Sequence, residues 1–264
     1  AAAPARAAVH ALVVSGLGGD PEYDHRFAEW NATLTGALRK LAGDPARVRS
    51  LSGRAATAEA LEKTLATMAG EITVDDTAIV VLLGHGSYAG DEYRLNLPGP
   101  DPTGAQIAAL LNRLPARRQL VVNATSASGA VAEAWKKPGR VVITATRSGG
   151  ERNATRFASH FIDAISTDRA DRDKDQRVTA QEAFAYVTQA VAEAFKADAA
   201  IATEHARLEG ADAQSIVLAR FGAAARFVDD ARLEELQRQQ SSLEQELAAY
   251  RARKPSMTED DYYA

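Results

Sequence analysis

The chain contains no cysteine. That excludes disulfides, thiolate-ligated zinc and a thiol nucleophile in the sequence as it stands. No apolar run approaches the ~20 residues that a membrane-spanning helix needs, so no membrane span is expected. There is no basic excess either: 31 Lys and Arg stand against 35 Asp and Glu, a formal charge of −4. Phosphate backbones ask for a basic face, so no nucleic acid is expected as a partner. The glycines at Gly16, Gly18 and Gly19 lack the continuation of either nucleotide-binding motif. What remains is an ordinary globular composition, 46% hydrophobic and 25% charged over 264 residues. This length suits one large domain with an appendage, or two small ones.

Residues 1–8 form an Ala-rich tail, read either as the small-residue end of a removed secretory signal peptide or as a frayed terminus. The first reading places the protein outside the cytoplasm, secreted or periplasmic. From residue 9 to 228, apolar runs alternate with segments of helical period. VHALVVSG (9–16), TAIVVLL (77–83), QLVVN (119–123) and RVVITA (140–145) read as buried strands, with a weaker one at 48–51. Helices are expected at 25–41, 58–68, 106–111, 130–136 and 153–165, with Thr103 capping the third. Residues 87–102 read as a loop or hairpin. Continuous apolar strands separated by helices mean an α/β fold with a mainly parallel sheet covered on both faces. Residues 229–264 differ. Leu233, Leu236, Leu243, Leu247 and Tyr250 make a helical stripe with Gln240 on it, read as a C-terminal helix that packs on the body or mediates self-association.

Sheets of this kind carry their sites at the carboxyl ends of the strands. Two ends bear reactive groups. VVLLGHGS sets His85 between glycines just past one strand, and LVVNATSASG sets Ser126 and Ser128 just past another. A histidine beside a hydroxyl is the minimal base–nucleophile pair, and the glycines let backbone N–H groups approach a carbonyl. Ser126 as a mere helix N-cap, and Gly-His-Gly as a plain turn, are the bland alternatives.

An apolar strand ending in His-Gly-Ser, followed about forty residues later by a strand ending in a nucleophile and Ser-Gly, resembles the legumain and caspase group of cysteine peptidases. The segment VVITATRSGGERNATRFASHFIDAI resembles the region after the nucleophile in bacterial legumain-like proteins. The resemblance spans roughly residues 9–209 and implies a caspase-like three-layer fold, with His85 as general base or acid. The family's cysteine maps onto Ser126, so the sequence departs from the pattern at its defining residue. Three readings follow. One is an inactive or weakly active homologue that binds peptide or protein. Another is an active endopeptidase, through a true Ser-His pair or because the native residue is cysteine. The third is an adaptor acting through its C-terminal helix. The resemblance also implies a substrate pocket, for which Arg26, Gly86, Ser128 and Arg147 are candidates, together with Glu151. The loop at 22–26 is equally readable as solvated surface.

Residues 171–182, DRDKDQRVTAQE, follow the twelve-residue EF-hand template. Asp171, Asp173 and Asp175 take positions 1, 3 and 5. Arg177 offers its carbonyl at 7, Val178 is the apolar 8, and Glu182 is the carboxylate at 12. Gln176 stands where the template has glycine. A structural calcium ion is the expected cofactor; the alternative is an acidic linker with Thr179 and Glu182 as a capping box. Asn31, Asn123 and Asn153 each begin Asn-Ala-Thr, formally a glycosylation signal, and are read as incidental.

Overall fold

The computed structural model describes residues 7–226, together with Leu236, Gln239 and Leu243. The chain divides into two units, Ala1–Phe221 and Gly222–Ala264. The helix expected across 229–253 lies outside the described residues except at those three positions, each of them helical.

Within the first unit, strands β1 (Val9–Ser15), β2 (Val48–Ser52), β3 (Thr77–Leu83), β6 (Arg118–Asn123), β7 (Arg140–Thr144) and β9 (Arg207–Glu209) form one sheet in the order β2-β1-β3-β6-β7-β9. The first five are parallel and β9 is antiparallel to β7. Their register aligns the strand ends: Ser15 pairs with Leu83, Leu82 with Asn123, and Asn123 with Thr144. Alternation then sorts the side chains. Ala11, Val13, Ile79, Val81, Leu120, Val122 and Ile143 face one core, while Leu12, Val14, Val80, Leu82, Val121 and Val142 face the other. The first core is covered by helices α1 (Pro21–Ala42), α5 (Phe157–Ser166) and α6 (Ala180–Ala197), through residues such as Leu34, Phe161 and Val187. The second lies under α2 (Ala58–Glu71), α3 (Gly104–Asn112) and α4 (Ala132–Trp135), through Leu61, Ile107 and Trp135. This is the three-layer α/β arrangement that the apolar runs imply.

Two small antiparallel pairs complete the unit: the hairpin β4 (Gly86–Ala89) with β5 (Glu92–Leu95), and β8 (Arg177–Thr179) with β10 (Val217–Arg220). Beyond the first unit only a short helix, α7 (Gly222–Arg226), is described as an element. Helix boundaries differ from expectation where caps decide them. Helix α1 begins at Pro21, four residues before the expected start at residue 25. The Asp20 carboxylate accepts from the Tyr23 N–H, and Pro21 and the acidic first turn suit a helix start. The segment 22–26 is therefore helix, not loop. Thr103 and Gln106 form a full capping box on α3. The helix expected at 130–136 shrinks to a 3-10 turn, Ser128–Val131, followed by one turn of α-helix. Helix α5 starts only at Phe157; just before it, the Thr155 hydroxyl donates to the Ala124 carbonyl and the Arg156 N–H to Glu204. Asn31 and Asn123 are buried. The Asn31 amide serves the Val13 and Leu51 carbonyls and the Ser15 hydroxyl, so neither asparagine is a glycosylation acceptor in this fold.

One cation lies inside the second layer. Arg140, 2% exposed, donates through Nε to Gln119 Oε1, through Nη1 to the Trp135 carbonyl and through Nη2 to the Leu111 carbonyl, all at 2.8–2.9 Å. Burial lowers its pKa to about 10, still well above neutrality, so the charge persists. Three acceptors in one fork join β6, α3, α4 and β7 at the amino end of the sheet. In Arg140→Ala the Gln119 amide oxygen and the Trp135 carbonyl lose this donor, whereas the Leu111 carbonyl keeps the Leu114 N–H. A loss of roughly 3 kcal/mol in unfolding free energy is expected, read by urea denaturation, and Arg140→Lys should recover only part of it.

Candidate active site

The carboxyl ends of β3 and β6 set the centre of the site. Beyond β3, Gly84 (φ 124°) turns the chain so that His85 sits at the rim, half-buried. The imidazole rests against Tyr23 and Phe27, both on the first turns of α1, with ring centroids 5.1 and 5.2 Å away and edge-to-face geometry. Its Nε2 lies 3.1 Å from the Gly18 carbonyl. A carbonyl only accepts, so Nε2 carries the proton and Nδ1 is left as the basic nitrogen. Gly18 is held in turn by the Asp24 carboxylate, which accepts from its N–H at 2.6 Å. A β-carbon on Gly18 would lie 2.3 Å from the Asp24 nitrogen, so this approach requires glycine.

Beyond β6 the chain runs Ala124-Thr125-Ser126 into the 3-10 turn. Tyr93 of β5 fastens this stretch from below: its hydroxyl lies 2.7 Å from Thr125 Oγ1 and accepts from Asn123 Nδ2 at 3.1 Å. Burial pushes the Tyr93 phenol up to about 12, so it stays protonated. Ala127 takes a left-handed conformation (φ 56°), unusual for a residue with a β-carbon, directly after Ser126. Its N–H is held by the Glu151 carbonyl at 2.8 Å. Gly86, next to His85, packs so closely on Ser126 that a β-carbon there would stand 2.5 Å from the Ser126 carbonyl oxygen. Two loops that are far apart in sequence thus meet at His85-Gly86 and Ser126. The Ser126 hydroxyl has no hydrogen bond among the described residues, and it caps no helix.

Other expected pocket residues fall differently. Ser128 is fully buried; its Oγ accepts from the Thr146 N–H at 3.2 Å and lies 3.3 Å from Thr146 Oγ1. Its hydroxyl therefore ties the β6 loop to the β7 loop. Gly129 packs on the same loop, where a β-carbon would lie 2.2 Å from the Arg147 carbonyl carbon. Arg147 is exposed and pairs with Glu151 at 3.1 Å. Arg26 lies over the Tyr23 ring at 5.0 Å and pairs with Glu22 at 2.5 Å, one residue contact away from His85.

Two positions, Gly18 and Glu204, went unread in the sequence as parts of this end of the sheet, and Glu151, a pocket candidate, has partners that no spacing announced. Gly18 was visible only as a glycine in a turn. Glu151 gathers His205 Nδ1 at 2.6 Å and the backbone N–H groups of Arg147 and His205. Glu204, 4% exposed, accepts from the Arg156 N–H at 2.6 Å and so caps α5 from a distant loop. No local spacing signals that bond, because its partners are far apart in the chain.

No protein-family model matches the chain. No curated protein sequence matches it either. Solved structures do. Caspase-1 from Spodoptera frugiperda superposes with a TM-score of 0.54 at 14% identity, covering 77% of this chain and 86% of that one. A protein from Geobacter sulfurreducens superposes with a TM-score of 0.52 at 13% identity, covering 81% of this chain and all of that one. The fold is therefore caspase-like, as the strand-end motifs implied.

Glu204 generates a pH prediction. Burial raises its pKa to about 7, against 4.5 ordinarily, with the Arg156 N–H opposing the shift. The native state then binds more protons than the unfolded chain between those values, so this group's contribution to stability falls as pH rises from about 4.5 to 7. The expected loss is about 3 kcal/mol across that window. In Glu204→Gln the slope should flatten, as measured by urea midpoints at half-unit pH intervals.

Proposed function

We propose that this chain is a peptidase-type protein of the legumain and caspase kind that binds peptide or protein at the His85/Ser126 site and cleaves it poorly or not at all. The observation that carries the reading is the contact set of His85. The Gly18 carbonyl fixes its tautomer but brings no charge, and no carboxylate of the described residues bonds to the ring. A serine hydroxyl is far less acidic than the ~8.5 of a thiol and must surrender its proton during attack. Serine hydrolases stabilise the imidazolium formed at that moment with a buried carboxylate. A site whose histidine is oriented by a neutral carbonyl suits a thiol, which the imidazole can ionise beforehand. Ser126 has the place of a nucleophile, and the environment around it supports sulfur chemistry better than oxygen chemistry.

Arg26 and Arg147, paired with Glu22 and Glu151, are the candidate polar groups of the binding surface. Described helices include none long and apolar enough to cross a membrane.

The test is turnover of a mixed-sequence fluorogenic peptide library. The native chain should stay near the blank, Ser126→Cys should rise by at least ~10²-fold, and His85→Ala in that background should remove the gain. Turnover by the native chain that Ser126→Ala abolishes would establish a serine hydrolase instead. A folded Ser126→Cys variant that stays inert would end the peptidase reading.

A further inference from the structure

We infer that the loop between α5 and α6 is a calcium site, formed by Asp171, Asp173, Asp175 and the Arg177 carbonyl, and separate from the His85/Ser126 site. Helix α5 starts near the strand ends, where Thr155 Oγ1 donates to the Ala124 carbonyl at 2.7 Å. It runs back along the sheet for ten residues, about 15 Å. The loop that follows therefore lies toward the amino end of the strands.

Four observations carry the assignment. One carboxylate oxygen from each of the three aspartates lies within 4.8 Å of the others. Asp171 is 3% exposed, and its Oδ1 is buried without any hydrogen-bond partner. An ionised oxygen held out of water with no donor is costly unless a cation meets it. Its other oxygen, Oδ2, accepts from the Gln176 N–H at 3.0 Å, so the side chain is anchored with one oxygen left over. Finally, Gln176 holds φ 67°, the left-handed turn for which the template uses glycine. The departure at position 6 therefore leaves the path of the loop unchanged. The strand after it, β8, pairs with β10, and Val178 is fully buried, which fixes the carbonyl row on that side.

The remaining donors are engaged. The Arg177 guanidinium holds Asp175 Oδ2 at 2.7 Å. Glu182 Oε2 accepts from the Thr179 N–H and hydroxyl at 2.9 Å, and its Oε1 from the Arg172 N–H at 3.0 Å. The linker reading and the calcium reading thus share Glu182: it caps α6 as found, and it must release part of that cap to reach position 12. This exchange places affinity in the weak range of such loops, about 10⁻⁴–10⁻³ M. All donors are oxygen, which selects a hard cation, and the irregular set favours calcium over the stricter octahedron of magnesium.

The experiment uses the full chain, stripped of metal, with calcium chloride as titrant and magnesium chloride as control. Calorimetry should find one calcium ion per chain. Tm should rise by about 3–6 °C at a calcium concentration roughly ten times Kd, and magnesium should give less. Asp171→Asn should abolish both signals. Asp173→Asn, at an exposed position with less risk to folding, should weaken binding at least ~10-fold. No heat and no Tm shift at 5 mM calcium (roughly five times the weakest such Kd) would overturn the site. So would an unchanged signal in both variants, since the ion would then sit elsewhere. Peptide turnover plays no part in this readout, so its outcome is independent of the proposed peptidase-type function.

Discussion

The in-register pairing of β1, β3, β6 and β7 is the constraint from which the rest follows. These strands are buried on both faces, so every backbone N–H and C=O must find its partner in the sheet, and slippage by one residue would exchange the two cores. Once the register is set, the strands end level. The loops after β3 and β6 then emerge side by side, and the sheet itself delivers His85 and Ser126 to one place. Helices α1 and α5 start at that same edge, which brings Tyr23 and Phe27 to the imidazole and Thr155 to the Ala124 carbonyl.

Around this meeting point, the loops are locked by contacts too close for any side chain. Gly18 on the Tyr23–Asp24 peptide, Gly86 on Ser126 and Gly129 on the Arg147–Ser148 peptide are three backbone contacts of that kind. The hydroxyls of Thr125, Ser128 and Thr146, with the phenol of Tyr93, fill the spaces between them. The result is a rigid floor under a histidine with a defined tautomer. Rigid preorganisation of this sort serves binding and catalysis alike.

Much of this was legible in the sequence, and the reasons differ by element. The strand TAIVVLL begins and ends where the apolar run does, because a buried parallel strand has no polar face to blur its limits. Gly-His-Gly and the serines after β6 were visible as strand-end motifs, and the aspartate spacing of the 171–182 loop as a template. What stayed hidden is long-range. The Gly18 carbonyl, the Glu204 cap on α5 and the fork of Arg140 join residues with no shared period or motif. Helix α1 was misjudged at its start because its first turn is polar, held by Asp20 and Pro21 and not by core contacts.

Strand β9 has a consequence for how the chain is made. It is only three residues long, and it covers the open edge of β7 from about sixty residues further along. On a ribosome adding roughly 5–20 residues per second, β7 waits on the order of 3–12 s before that cover is synthesised. During the interval its Val-Val-Ile edge offers unpaired backbone groups to any neighbouring nascent chain. Crowded translation is therefore the moment of greatest exposure for this protein, and slowed elongation between β7 and β9 would prolong it.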